Sequence, residues 1–201
     1  MDFTAIDFET GNSYYTSACS IGVSVFKDNK PIKQYSKFIK PPGQAGNFHW
    51  YNVKIHGIKQ SDLENEPNFA EIWSQIKQDI ENKTIVCHNA VFDTAVLRKC
   101  LEFYNIPFPD FNYICTVKVS QKLWPELENH RLDTVSSFLG IELNHHEAGS
   151  DAHACGLILH YALKQTGSKS IDELAAKLGI KLGYVGKNKH ISCSCAKNAL
   201  K

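Results

Sequence analysis

The chain has 201 residues, 43% of them hydrophobic and 21% charged, which suits a single medium-sized domain with a short extension better than two full domains. Its 22 basic and 21 acidic residues leave a net charge of +1, so no strongly basic surface announces nucleic acid, although a small local contact stays open. No stretch reaches the length of a membrane span, no basic-then-apolar leader opens the chain, and the seven cysteines are expected as free thiols; the expectation is a cytoplasmic protein with no membrane partner.

In chain order, FTAIDFE, CSIGVSVFKDN and PIKQYSKFIK read as three strands, with Asp28-Asn29 turning the second into the third, so an antiparallel meander is expected. Pro41-Pro42-Gly43 stops the third strand. Residues 44–65 have no clear period and read as an irregular loop with short helical pieces. After Pro67, the residues Phe69, Ile72, Trp73, Ile76 and Ile80 recur at spacings of three and four and define one helical face. TIVC (84–87) reads as a short buried strand, HNA as a tight connection, and VFDTAVLRKCLEFY as a helix ended by Pro107 and Pro109. A strand around FNYIC, two shorter helical stretches and a long helix from about Ser150 to Lys164 follow. A meander followed by strand–helix alternation implies an α/β fold with a mixed sheet.

The division expected is residues 1–167 as the main domain and 168–201 as a C-terminal extension. Ser170 and Glu173 stand in capping-box spacing, with Leu174 and Leu178 as an apolar edge and Gly179 as a stop, so a short helix is expected there. Beyond Gly183 the composition offers little to a core, and poor order is expected towards the end. Cys193 and Cys195 lack the further regularly spaced ligands that a zinc site needs.

The chemistry concentrates in acids. Asp7 and Glu9 are two apart in the first strand and so face the same side, where two like charges repel. Asp93 follows the HNA turn at a helix start, and Asp151 opens the last long helix, five residues after His146. Each has an ordinary explanation: a lone D-x-E is a common surface pair, acids are favoured at helix N-termini, and His88-Asn89 could simply tie down a turn. Gathered in one cleft, however, four carboxylates need divalent cations, and an oxygen-only ligand set suits Mg²⁺ or Mn²⁺. Two such ions serve phosphoryl transfer, with His146 of the right chemical type for a general base.

The segments FTAIDFETG, IVCHNAVFD and HHEAGSDA resemble, in order, the three motifs of the DEDDh 3′–5′ exonucleases, the group of the proofreading (epsilon) subunit of bacterial DNA polymerase III. The resemblance spans about residues 3–164, and IHGI (55–58) is similar to a further segment of those proteins. It implies an RNase H-like fold, Asp7, Glu9, Asp93 and Asp151 as ligands of two divalent cations, and His146 rather than His145 as general base. It places Thr10 and Gly11 near the terminal nucleotide, with Phe8, Phe92 and His56 packing around its base or sugar. Cys115-Thr116 stands where relatives often carry Asp-Thr. The function implied is release of nucleoside monophosphates from 3′ ends of single-stranded nucleic acid, DNA before RNA, with a polymerase or other replication or repair protein as an expected partner. The alternatives are an exoribonuclease of the same mechanism and a non-catalytic end-binding or polymerase-docking module.

Overall fold

The structure, a computed structural model, describes residues 1–187 and 189–196. The expected meander is present as β1 (Phe3–Thr10), β2 (Ala18–Lys27) and β3 (Lys30–Phe38), paired antiparallel in turn. Asp28 and Asn29, both at positive φ, make the two-residue turn between β2 and β3; Asn and Asp tolerate this region better than most side chains. Between β3 and the first long helix lies α1 (Trp50–His56), a short helical piece in the irregular segment. The 3.6-residue pattern after Pro67 becomes α2 (Phe69–Ile80), where Asn68 and Glu71 form a reciprocal capping box.

Two parallel strands follow on the other side of β1. β4 (Ile85–Cys87) pairs with β1, and β5 (Phe111–Cys115) pairs with β4, joined by the crossover helix α3 (Ala90–Phe103). α4 (Thr116–Leu123), α5 (Leu132–Leu139) and α6 (Ala148–Thr166) complete the helical layers. α6 begins two residues before the expected start because Glu147 caps it, accepting from the Gly149 and Ser150 amides, and it stops at Gly167 in the left-handed region. The helix packs on β1 and β2 through small residues. A Cβ on Gly156 would run into the Phe26 ring at 2.1 Å, so this crossing depends on glycine.

The C-terminal segment departs from its composition. Ser170 caps α7 (Ile171–Leu178) through the Glu173 amide, and Gly179 ends it, as the spacing implies. Past it, β6 (Ile180–Lys181) pairs with β9 (Ser194–Cys195), while β7 (Gly183–Gly186) adds antiparallel to β5 and carries β8 (Lys189–Ile191). The main sheet therefore runs β3-β2-β1-β4-β5-β7-β8. Little order was expected beyond Gly183; instead Val185 and Cys193 are core residues, because the open edge of β5 supplies the hydrogen-bond partners that local composition cannot. Residues 197–201, where the expected disorder at the extreme end falls, lie outside the described residues. The seven cysteines are free thiols, six of them buried.

Candidate active site

Strand alternation puts Ile6 and Phe8 in the core and turns Asp7 and Glu9 together to the opposite side. The carboxylates of Asp7, Glu9 and Asp151 each place an oxygen within 4.8 Å of the others. Asp151 reaches them from the first turn of α6, and Asp93 from the first turn of α3, immediately after Asn89 turns the chain at φ 65°. Asp93 lies outside that 4.8 Å group but is electrostatically linked to it, since its charge helps to raise the Asp7 pKa.

Hydrogen bonding leaves the cluster half-satisfied. Asp93 Oδ1 accepts from the Phe8 amide at 3.1 Å and Asp151 Oδ2 from the His146 amide at 3.0 Å, but Asp93 Oδ2 and Asp151 Oδ1 are buried with no partner among the described residues. Among the described residues, none of the four acids pairs with a lysine or arginine. Without such a partner, burial holds the acids protonated well above the carboxylate range. Asp7 is pushed up by burial and then by the charges of Asp93, Asp151 and Glu9. Glu9 rises to about 8 through burial and then Asp151 and Asp93, Asp93 to about 8 and Asp151 to about 7 mainly through burial.

His146 sits at φ 70° in the loop before α6, with Nδ1 3.8 Å from Glu9 Oε1. Its ring stacks on His145 at 3.8 Å between centroids, and both histidines bring a nitrogen within 4.8 Å of the Asp151 carboxylate. Burial, then the neighbouring His145 and His56, lowers the His146 pKa, so the imidazole is neutral and able to accept a proton at neutral pH.

These groups border a cleft of about 740 Å³. Phe8 and Phe92 also border it, but Phe8 is only 2% exposed, because its ring points to the core; of the two, Phe92 is the one with ring surface to offer. Thr10, Gly11 and His56 do not line this cleft. Thr10 is buried, its carbonyl accepting from Asn52 Nδ2 at 2.8 Å and His56 Nε2 at 3.2 Å, and Gly11 is covered by the Phe48 ring. His56 instead borders a smaller adjoining groove with Ile55.

The far wall is made by Gln121, Asn129, His130 and Arg131, from α4 and the approach to α5. No spacing marks these residues. His88 links the two walls: its Nε2 donates to the His130 carbonyl at 2.9 Å, and the Thr116 hydroxyl meets its Nδ1 at 2.9 Å. Burial lowers its pKa to about 4, so it is a neutral tie for the turn. The Thr116 of the Cys115-Thr116 pair thus anchors His88, while Cys115 pairs with Cys87 across β4 and β5.

The model of the exonuclease family of RNase T type matches residues 4–159. The chain is 28% identical over 171 residues to the PolC-type DNA polymerase III of Clostridium perfringens, covering 82% of this chain but 11% of that protein. It therefore spans about a tenth of the length of that relative. Among solved structures, it resembles Exonuclease X in complex with 5′-overhanging duplex DNA, at a TM-score of 0.69 and 20% identity over 88% of this chain and 99% of that one. Escherichia coli Exonuclease I in complex with a dA13 oligonucleotide superposes at 0.68 with 18% identity, over 81% of this chain and 40% of that one. The RNase H-like mixed sheet is common to them.

Proposed function

Because this chain belongs to the exonuclease family, and to its DEDD-type 3′–5′ branch, we propose that it releases nucleoside monophosphates from the 3′ ends of single-stranded nucleic acid, with DNA as the natural substrate. Residues 1–167 are the exonuclease unit in this reading and residues 168–201 an extension, whose described residues pair with the sheet of that unit through β7. The preference for DNA follows the likeness to a DNA polymerase and to exonucleases solved with DNA, which also makes a replication or repair polymerase the expected partner.

The observation that carries the reading is the unpaired carboxylate cluster. Two buried, partnerless oxygens on Asp93 and Asp151, beside Asp7 and Glu9, are acceptors with nothing to accept from. That is a poor arrangement for stability and a good one for hard divalent cations, Mg²⁺ or Mn²⁺. Asp7, Glu9, Asp93 and Asp151 would hold them. Two bound ions would supply stabilisation of the charge that develops on the phosphate and acidify a water.

The protein's own groups do the rest. His146, neutral and bordering the cleft, accepts the proton of the attacking water. The Asp151 carboxylate fixes the His146 loop through its amide. Phe92 offers a face to the terminal base, and stacking of this kind tolerates any base.

The test is a gel assay with 5′-labelled DNA and RNA of matched sequence in Mg²⁺, Mn²⁺ or chelator, beside Asp7→Asn. The expected result is a metal-dependent ladder shortening from the 3′ end, faster on DNA and absent in the variant. A faster RNA ladder would reassign the substrate, and intact strands in every metal would sink the catalytic reading.

A further inference from the structure

Alone among the described α-helices, α1 buries none of its residues. Its attachment is polar: the His49 amide donates to the Gly11 carbonyl at 2.7 Å, and Asn52 and His56 both donate to Thr10. The aromatic residues of this helix are therefore not core. Trp50 and Tyr51 are 67% and 55% exposed, with their rings edge to face at 5.7 Å. Two adjacent large rings are thus left in water, and what distinguishes them from other exposed apolar side chains is their place on the helix that carries Ile55 to the cleft.

Helical spacing sets what lies beside them. Ile55 is one turn from Tyr51 on the same face, and Lys54, also exposed, is one turn from Trp50. Ile55 borders both the catalytic cleft and the adjoining groove, so the aromatic face continues directly out of the site. At ~1.5 Å per residue the helix is about 10 Å long, which matches two or three nucleotides at ~3.4 Å per stacked step.

We propose that the α1 face formed by Trp50, Tyr51, Lys54 and Ile55 is a stacking platform for the nucleotides that precede the 3′-terminal one in a single strand. The aromatic faces take the bases without choosing among them, and Lys54 faces the phosphates. The inference rests on the exonuclease reading and identifies how that site holds the strand behind the scissile bond.

Trp50 also supplies the probe, since Trp73 and Trp124 are buried at 4% and 3% exposure. In chelator, saturation with an oligothymidylate of about ten nucleotides is expected to quench tryptophan emission in the wild type. No change in emission at saturation, judged by anisotropy of the labelled strand, would overturn the platform without any variant. In Mn²⁺, Trp50→Ala combined with Tyr51→Ala should raise KM for that strand about 10- to 100-fold. Its kcat, and both constants for the p-nitrophenyl ester of thymidine 5′-monophosphate, which has no preceding nucleotide, should match the wild type, and Trp50→Phe should restore most of the loss. Equal KM values for the strand, or an equal loss on the nitrophenyl ester, would refute the inference. Quenching by the strand with no cleavage of either substrate would instead leave the platform standing and remove the exonuclease reading.

Discussion

Asp7, Glu9, Asp93 and Asp151 are costly residues to hold in one place, and their cost is measurable. Glu9 and Asp93 titrate near 8 and Asp151 near 7 when folded, against an ordinary carboxylate near 4 when unfolded. The folded state therefore keeps protons that the unfolded state releases. The stability this contributes is complete below about pH 4 and is lost as the pH rises through about 7 to 8. In chelator the melting temperature should fall between about pH 5 and pH 8, and saturating Mn²⁺ should raise it most at the upper end. A flat melting profile in chelator would mean that the acids are better solvated than their burial implies. His146 is the proton acceptor at this site in the proposed reaction. His146→Ala should slow hydrolysis about 10²- to 10⁴-fold while His145→Ala leaves most activity, read as single-turnover rates. The reverse ranking would move the general base to its stacked neighbour.

Among elements, the meeting of α6 with β2 decides whether the acids converge. Gly22 lies opposite Asp7 in the β1–β2 ladder, and a Cβ there would fall 1.8 Å from the Ala148 carbonyl oxygen, at the first turn of α6. That neighbour is backbone, so the helix itself must move. Gly22→Ala should cost about 1–3 kcal/mol or more and should lower the rate further than its melting curve suggests, because Asp151 and the His146 loop shift with the helix. Gly140→Ala is the control: its φ of 67° predicts strain of roughly 1 kcal/mol, but nothing lies within 4 Å of the added atom, so the rate per folded molecule should be unchanged. The element boundaries show the same dependence on particular groups. The Glu147 carboxylate draws the start of α6 forward, and the long α6 could be read from periodicity only from Ser150 because its opening Ala-Gly carries no apolar signal.

For the whole molecule, the described part of the C-terminal extension lengthens the sheet that holds the site by two strands, β7 and β8. β7 covers the second edge of β5, Gly183 rests against the Tyr113 ring, and the Cys193 amide donates to the Tyr113 hydroxyl at 3.3 Å. A chain ending at Gly167 should expose that edge and the fully buried Tyr113. Its expected behaviour is self-association in size-exclusion chromatography and unfolding at lower urea than the full chain. A monomeric truncated chain of unchanged stability would make the extension dispensable to the fold.

Features carried by local chemistry are legible without the fold. Alternation in FTAIDFE sets the shared face of Asp7 and Glu9, spacings of three and four set α2, and Ser170 with Gly179 bounds α7. The three ordered segments around Asp7, Asp93 and Asp151 also point to one family, because residue type and spacing are what sequence preserves. Long-range packing settles which groups stand free and which are spent. It withdraws Thr10 and His56 into anchoring α1, turns the Phe8 ring inward, and adds a wall from Gln121 to Arg131 that no local pattern marks. It also turns a tail of weak composition into strands, since β pairing draws its partner from a strand some seventy residues away (Phe111 with Val185), where no local window can see it.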